Sequence, residues 1–449
     1  MSTPICDFLK NYVDNKHKRF HMPGHKGKNE GTAYDLTEID GLDSLYTGKG
    51  VIYDSEQIAS KIFGSLRTCY SVEGSSQCIK AMLHLAKLCK NPATRGYILA
   101  TRNAHSSLIT ASFLLDFDIE WIFPSKNDSY ISCTCTPSMV DDFLNNASKK
   151  PFAVYLTSPD YLGNIADIQG VAQICKKHGV LLLVDNAHGA YLKFSNSLFH
   201  PLDLGADMCC DSAHKTLPAL TGGAYLHISK DVSRDLQDVL CQGVKSAMLF
   251  YGSTSPSFLI LSSLDKLNHE ITNGDLISRQ NAVENAVLEL KKRLNVYGFE
   301  LLGDESLKIS IRATSYGYTG TELANELKNH GIYVEFFDND FITLMLSCNT
   351  SHYDIEVLEK VLLSIPKKEK ITRKAPPICK PKRAMSVRMA GFCPKEKIHV
   401  DASLGRVFAS FTVSCPPAVS ILTCGEIIDQ SSIEALKYYG TEYIDVICE

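Results

Sequence analysis

The 449-residue sequence lacks several features that would identify whole classes of protein. No apolar run is long enough to cross a lipid bilayer, so we expect no membrane partner. The net charge of −4 gives no reason to expect nucleic acid or an acidic membrane surface as a partner. Asp7, Lys10 and Asp14 place charges within the first turns of the chain, so we also expect no signal peptide.

The sequence contains 16 cysteines but no pair of Cys-x-x-Cys knuckles. Without such pairs we expect neither structural zinc nor any other metal. Cys209, Cys210 and Cys348 stand within apolar segments, as buried free thiols do. This pattern predicts a protein of the reducing cytoplasm.

The middle of the chain alternates between strand-like and helix-like segments. With 449 residues, 45% of them hydrophobic and 21% charged, the chain can form two or three ordinary globular domains. Between residues 51 and 275, helix-like stretches separate short apolar runs, which predicts an α/β domain with a mainly parallel sheet covered by helices. The apolar runs lie at residues 97–100, 119–123, 153–156, 180–184, 208–210 and 224–228.

Composition also suggests where the domains end. The stretch 366–383 is rich in lysine, arginine and proline, and it has no interleaved aromatic residue for stacking on RNA, so we interpret it as a solvated linker. Residues 276–296 have the spacing of one long amphipathic helix. The predicted parts are an arm at 1–50, a large domain at 51–275, a small α+β domain at 276–365, the linker at 366–383 and a C-terminal domain at 384–449.

Lys215 is the strongest candidate for covalent chemistry. It lies in Ser-Ala-His-Lys at residues 212–215, after an apolar run and before Gly222 and Gly223. A lysine held between apolar segments loses its proton more easily and can form a Schiff base with an aldehyde. Taken alone, the same residue reads as an ordinary surface lysine.

Asp185 favours a Schiff-base role for Lys215 over that of an ordinary surface lysine. Five apolar residues at 180–184 precede Asp185 and predict a buried parallel strand that ends in an acid. Ligands of open α/β sheets lie at the carboxyl ends of strands. A carboxylate there can keep the ring nitrogen of pyridoxal 5′-phosphate (PLP) protonated, although Asp185 also fits a helix N-cap. Asp185 and Lys215 together favour the cofactor site.

The chain resembles the Orn/Lys/Arg decarboxylase family over nearly its whole length. Such enzymes are PLP-dependent and have the aspartate-aminotransferase fold, so the resemblance implies a fold type I large domain with a seven-stranded type of sheet, a small α+β domain and a C-terminal α+β domain. It further implies a short form without an N-terminal wing domain. The matching segments lie at residues 21–27, 37–45, 103–107, 157–161, 185–189, 212–215, 405–406, 415–417 and 425–426.

The segment at residues 72–77 is the candidate phosphate site. Gly74, Ser75 and Ser76 open a predicted helix, where backbone N–H groups and two hydroxyls suit a phosphate. A plain N-cap is the alternative. The resemblance implies the phosphate cup for these three residues. The sequence departs from the family at Gln77 and Cys78, where small residues are usual.

The resemblance implies further cofactor contacts. His105 would stack on the pyridine ring, although by itself it fits a satisfied histidine at a helix start. His188 would lie close to the cofactor. Ser212 and His214 would contact the phosphate, and His214 would also carry protons.

A segment further along the chain points to a shared active site. Ser253 and Thr254 resemble the stretch that reaches the phosphate of a neighbouring subunit. The implied assembly is therefore a homodimer or a dimer of dimers.

Substrate recognition needs a carboxylate for a distal cation. Asp43, Glu426 and Asp429 are the candidates, but Asp43 also fits a turn or a cap, and Cys424 replaces the proline that usually precedes the Gly-Glu pair. In the family the arm lies near the active site of a dimer partner. His25 and Lys26 are therefore further substrate-side candidates.

The implied activity is α-decarboxylation of a basic amino acid to an amine and CO₂, in polyamine metabolism. We favour arginine over lysine or ornithine because short forms of the family often use it. An aminotransferase is the alternative, with Arg312 available for a substrate carboxylate. A catalytically silent, partner-binding paralogue is a further alternative, which is disfavoured by the presence of Asp185, His105, His214 and Lys215.

Overall fold

The structure is a computed structural model that describes residues 2–90, 95–123, 129–196, 199–372, 375–411 and 420–448. The predicted family segment at 415–417 therefore lies outside the described residues. The α-helices are α1 (Pro4–Asp14), α2 (Gly50–Phe63), α3 (Ser75–Cys89), α4 (Ser106–Leu115), α5 (Pro137–Asn146), α6 (Ile168–His178), α7 (Ala213–Thr216), α8 (Arg234–Leu249), α9 (Phe258–Thr272), α10 (Asp275–Tyr297), α11 (Gly320–Asn329), α12 (His352–Ser364), α13 (Val387–Phe392) and α14 (Gln430–Tyr438).

Six of the strands, β2 to β7, follow the predicted apolar runs of the sequence closely. The strands are β1 (Arg67–Ser71), β2 (Tyr97–Thr101), β3 (Asp118–Ile122), β4 (Ala153–Thr157), β5 (Leu181–Asp185), β6 (Met208–Asp211), β7 (Ala224–Ile228), β8 (Leu301–Leu302), β9 (Lys308–Arg312), β10 (Phe336–Phe337), β11 (Phe341–Met345), β12 (Lys395–His399) and β13 (Tyr443–Ile447). Strands β1 to β7 belong to a large seven-stranded sheet, which confirms the predicted α/β class.

The first compact unit comprises Met1–Ala93 and Leu181–Asn281. Its strands are neighbours in the order β1, β7, β6 and β5. Strands β5 and β6 run parallel, and every residue of β5 is buried. Such burial on both faces explains the unbroken apolar run that the sequence shows here.

Strand β7 is the exception to the parallel pattern, because it pairs antiparallel with both β6 and β1. The connection from β6 to β7 contains only the four-residue helix α7. A parallel crossover needs a longer connection, usually with a helix that spans the sheet. The chain therefore turns back after α7.

The second compact unit comprises Thr94–Val180 and Ala282–Glu449. Strands β4, β2 and β3 are parallel neighbours in it. An antiparallel sheet of order β10-β11-β9-β8 and the antiparallel pair β12–β13 make up the other sheets of its described residues. Within residues 308–364 the elements follow the order β9, α11, β10, β11 and α12.

Helix α6 ends directly before Gly179. Gly179 has φ 67°, a left-handed conformation that costs glycine little because it has no Cβ. At the other end, the Asp167 carboxylate accepts a hydrogen bond from the Gly170 amide at 2.8 Å. Both ends of α6 are therefore encoded locally.

The sequence also predicts a linker at 366–383 and no run long enough to cross a membrane. The described residues of the stretch 366–383 form neither a helix nor a strand, but Ile378 and Cys379 are buried, so this part of the predicted linker is not solvated. Within the described part of the chain, no helix combines the length and the apolar character that crossing a membrane requires. The division of the chain into five parts stays a prediction.

Candidate active site

Lys215 lies on α7, directly after strand β6. Its Nζ is 2.9 Å from Nε2 of His188, which is itself buried. Helix α7 begins after Ser212, directly beyond the last residue of β6, so Lys215 follows the carboxyl end of that strand. The structure thus brings together two residues that the sequence proposed separately for the cofactor site.

Asp185 is the last residue of β5 and is 2% exposed. Its carboxylate accepts hydrogen bonds from the Ala187 amide at 3.2 Å and from the Cys210 thiol at 3.7 Å. Asp185 and Cys210 are register partners on neighbouring parallel strands. The buried acid and the lysine therefore follow adjacent strands of one sheet, as the sequence predicts.

The segment before α3 forms a cradle. Gly74 precedes the helix with φ 70°, and a Cβ placed there would meet no atom within 4 Å. Its amide donates to the carbonyl of Gly222 at 2.8 Å. The Ser212 hydroxyl donates to the Ser75 hydroxyl at 2.8 Å, which joins the segment around Lys215 to the start of α3.

Gln77 stands where the sequence departs from the family, and its side chain is anchored in the protein interior. The amide nitrogen donates to the carbonyl of Met248 at 2.8 Å and to the hydroxyl of Tyr46 at 3.0 Å. The Ser71 hydroxyl donates to the amide oxygen. The side chain of Gln77 is thus hydrogen-bonded within the protein. The polar lining of the candidate phosphate site therefore comes from Gly74 and Ser75.

This set of groups fits PLP. Helix α3 begins at this segment, and Ser75 and Ser212 add hydroxyls, as a phosphate site at a helix start requires. Lys215 supplies the amine for an aldehyde, and Asp185 supplies a buried acid for a ring nitrogen. Helix α3 and the side chains of Ser75, Asp185, Ser212 and Lys215 all lie in the first compact unit.

His214 precedes Lys215 and is oriented by the glycine pair. Its Nδ1 lies 3.1 Å from the carbonyl oxygen of Gly223, and its backbone amide donates to the same oxygen at 3.2 Å. Because a carbonyl can only accept, Nδ1 of His214 carries the proton. Its Nε2 is then the atom that can accept or release a proton.

His105 belongs to the second unit, where it caps helix α4. Its Nδ1 accepts a hydrogen bond from the Ser107 amide at 3.1 Å. This is the helix-start role that the sequence offered as the alternative. Stacking of His105 on a cofactor ring stays a prediction.

Glu426, a candidate for the substrate cation, already binds a guanidinium of its own chain. Arg102 Nη1 donates to Oε1 and Arg102 Nη2 donates to Oε2, each at 2.9 Å. Burial lowers the pKa of Arg102, but the adjacent Glu426 carboxylate outweighs burial and raises it. A substrate would have to compete with Arg102 for this carboxylate.

Asp43 and Asp429, the other acidic candidates, both lie at the starts of helices. A Cβ placed on Gly50, the first residue of α2, would lie 1.4 Å from Asp43 Oδ2. The Asp429 carboxylate accepts from the Ser432 amide at 2.8 Å and caps α14. Asp429 is therefore a helix cap, whereas the cap residue of α2 is Lys49 and Asp43 lies before it with φ 65°.

The remaining candidates have partners or lie exposed. His25 Nε2 is 3.2 Å from Asp35 Oδ2. Arg312 Nε donates to Glu300 Oε1 at 2.7 Å, so the arginine proposed for an aminotransferase is engaged by an acid. Exposed candidates are Ser253 and Thr254.

Sequence reasoning missed two buried polar clusters. One is the Arg102 pair, whose partners are 324 residues apart along the chain. The other joins Asp211 to His200 and His227, all three fully buried. A buried-strand pattern that ends in an acid at Asp211 was a signal for the second cluster, since a carboxylate in such a place needs partners.

Residues 3–296 match the family described as Orn/Lys/Arg decarboxylase, major domain. The chain belongs to this family. Membership confirms the predicted family and, with it, the prediction of an amino-acid decarboxylase, a carboxy-lyase. The curated relatives extend the match beyond residue 296.

The arginine decarboxylase of Bacillus subtilis (strain 168) is 29% identical over 471 residues, which cover 96% of this chain and 92% of the relative. The arginine decarboxylase of Halalkalibacterium halodurans is 28% identical over 97% of this chain and 93% of its own length. Lysine decarboxylase A from Pseudomonas aeruginosa has a similar fold, with a TM-score of 0.82 and 16% identity over 99% of this chain and 80% of that structure. At this identity the structural likeness shows the fold alone.

Proposed function

We propose that this protein binds PLP at Lys215 and removes the α-carboxylate of a basic amino acid, giving the amine and CO₂. Arginine is the favoured substrate, ahead of lysine and ornithine. The observation that carries the proposal is the placement of Lys215 beside His188 on the segment that follows β6, with buried Asp185 at the end of the neighbouring strand. Family membership supports the reaction class.

Arginine is favoured because two relatives that match nearly end to end bear the name arginine decarboxylase. The lysine decarboxylase of Pseudomonas aeruginosa, at 16% identity, supports only the fold. Engagement of Arg312 by Glu300 disfavours the aminotransferase alternative.

Each group in the site has a role that follows from its chemistry. PLP, when bound, supplies an electron sink for the charge left when CO₂ departs. Asp185 holds a proton at the ring nitrogen because a buried carboxylate strongly favours an adjacent cation. Ser75, Ser212 and the first amides of α3 bind the phosphate. Together these residues fix one orientation of the ring.

Proton transfer falls to the residues around Lys215. Loss of CO₂ leaves the substrate α-carbon one proton short, and that proton comes from Lys215 Nζ or from His214. His188 Nε2, which is 2.9 Å from Lys215 Nζ, can exchange a hydrogen bond with the amine as its protonation changes. In this proposal His105 stacks on the ring and helps to select the bond that breaks.

The proposal extends to assembly and location. Ser253 and Thr254 contact the phosphate of a neighbouring subunit, so the working unit is a homodimer or a dimer of dimers. We place the protein in the cytoplasm, which agrees with the free thiols of the described cysteines. Light scattering of the PLP-loaded protein tests the assembly.

Product analysis tests the function. PLP-loaded protein is incubated separately with arginine, lysine and ornithine, and the products are identified by mass spectrometry. We expect agmatine in largest amount from arginine. A keto acid formed only with an added acceptor would support the aminotransferase instead, and no product from any of the three amino acids would refute the proposed reaction.

A further inference from the structure

A buried carboxylate beside the proposed cofactor site forms hydrogen bonds with three side chains. Asp211, the last residue of β6, is fully buried and four positions before Lys215. Its Oδ2 lies 3.1 Å from His200 Nε2 and 3.2 Å from His227 Nε2. Its Oδ1 accepts from the side-chain amide of Asn186 at 2.6 Å.

These partners hold Asp211 as a fixed acceptor. The Thr68 hydroxyl lies 2.9 Å from Nδ1 of His227, so Thr68 can donate there while Nε2 of the same ring donates to Asp211. Burial alone raises the pKa of Asp211, but His200 and His227 outweigh burial and hold it well below its ordinary value. Asp211 is therefore ionised and cannot rotate without losing a buried hydrogen bond.

Asn186 connects this fixed acceptor to the other strand. It follows Asp185 directly, and its backbone amide donates to the carbonyl of Cys210 at 3.0 Å. Its side chain adds the bond to Asp211, so two hydrogen bonds join the carboxyl ends of β5 and β6. One end carries Asp185, and the other leads into Lys215.

We propose that Asp211 is a positioning residue, which acts through Asn186 to set Asp185 and Lys215 at the spacing that PLP requires. The inference rests on the proposed function, since it concerns PLP binding by these two residues. A hydrogen bond between a buried amide and a buried carboxylate is among the stronger kinds. Its loss should therefore weaken PLP binding by about tenfold, which corresponds to one such bond.

Two variants break the same bond from opposite sides. Asn186→Ala removes the donor and leaves Asp211 with both histidines, so it preserves the buried charge cluster. Asp211→Ala removes the acceptor and is the more disruptive change, because it leaves two buried histidines without their partner. Each single variant should weaken PLP binding by about tenfold, and the double variant should do little more, because the bond is already lost.

Asp207→Ala is the matched control. The Asp207 carboxylate accepts from the Leu182 amide at 2.8 Å, so it joins the same two segments at their opposite ends. This variant should lower thermal stability while its affinity for PLP stays within twofold of the unaltered protein. The comparison distinguishes two effects of losing a hydrogen bond between these segments: a general loss of stability, and a loss of positioning at the end where PLP binds.

The experiment titrates PLP into the apo forms of the full chain and records binding by fluorescence and the circular dichroism of the bound cofactor. We expect weaker binding and an altered cofactor band for Asn186→Ala, with both unchanged for Asp207→Ala. Equal PLP affinity in Asn186→Ala and the unaltered protein would overturn the inference alone. Absence of PLP binding by the unaltered protein would overturn the proposed function and the inference together.

Metal analysis provides a second check. His200, Cys209 and Asp211 each offer a ligand atom, and these atoms all lie within 4.8 Å of one another. One equivalent of zinc in the purified protein, lost in Cys209→Ser, would make Asp211 a metal ligand and overturn its role as a hydrogen-bonded positioning residue. Purified protein without metal supports the hydrogen-bonded arrangement.

Discussion

Arg102 and Glu426 form a bidentate ion pair in which both side chains are almost fully buried. The guanidinium also lies over the ring of Trp121, with 4.9 Å between its central carbon and the ring centroid. Nη1 further donates to the Thr423 hydroxyl at 2.9 Å, and Nη2 to the carbonyl of Ile421 at 2.9 Å. The pair therefore ties the end of β2 to the C-terminal segment.

Removing one member of this pair should be costly. Glu426→Gln leaves the Arg102 charge buried without a counter-ion, so we expect the free energy of unfolding to fall by about 3 kcal/mol. Replacing both residues with methionine should cost less than either single change, because no buried charge remains. Urea unfolding followed by circular dichroism measures the difference.

An exposed pair serves as the control for this prediction. Lys292 and Glu289 lie 2.8 Å apart on the surface of α10, and Lys292→Ala should change stability little. If Glu426→Gln were as stable as the unaltered protein, the Arg102 pair would not hold the C-terminal segment in place.

Gly50 should tolerate alanine poorly because of Asp43. Its φ is 66°, and an alanine Cβ would meet Asp43 Oδ2 at 1.4 Å, so Gly50→Ala combines backbone strain with a clash. Gly179→Ala adds the strain alone, since its φ is 67° and no atom lies within 4 Å of the added Cβ. We expect Gly179→Ala to cost about 1 kcal/mol and Gly50→Ala clearly more.

Thermal unfolding of the two glycine variants tests this ranking. Adding Asp43→Ala to Gly50→Ala should recover part of the loss, because the clash disappears while the strain remains. Equal losses for the two glycines would show that Asp43 does not lie against the start of α2.

Asp338 should make stability depend on pH between about 4 and 6. Burial, with a smaller contribution from Asp340, raises the pKa of Asp338 to about 6, although its carboxylate accepts from the amides of Asp340 and Phe341. A raised pKa means that the folded state binds the proton more tightly than the unfolded state. The stabilisation that protonated Asp338 gives the folded state is therefore complete below the ordinary pKa of an aspartate and is lost as pH rises to about 6.

Asp338→Asn isolates this effect, because an amide oxygen can accept both backbone hydrogen bonds but does not titrate. The difference in unfolding free energy between the unaltered protein and this variant should fall by at most roughly 3 kcal/mol from pH 4 to pH 7. A difference that stays constant over this range would contradict the raised pKa. Asp354→Asn, at an exposed helix start, is the control.

The elements that the sequence predicted well share one property, which is that local residues determine them. Strand β5 follows from five consecutive apolar residues, and α6 ends at Gly179 because its backbone is left-handed. The positions of Asp185 and Lys215 follow from the same local patterns, since Asp185 ends the apolar strand β5 and Lys215 lies four residues beyond the end of β6. Local patterns of this kind are visible in one sequence.

The features that the sequence did not reveal depend on distant partners. Nothing near Arg102 indicates that its counter-ion is Glu426, 324 residues away. His200 and His227 are isolated histidines until the fold places both beside Asp211. The antiparallel direction of β7 likewise depends on a connection whose helix proved to be only four residues long.

The proposed function depends most directly on Lys215 as the residue that holds PLP. PLP-loaded protein is reduced with sodium borohydride, which fixes the cofactor permanently to its lysine, and the protein is then digested and mapped by mass spectrometry. We predict that the cofactor is found on the peptide that contains Lys215, and that Lys215→Ala takes up no label and shows no turnover. Label on another lysine, or full turnover by Lys215→Ala, would contradict it.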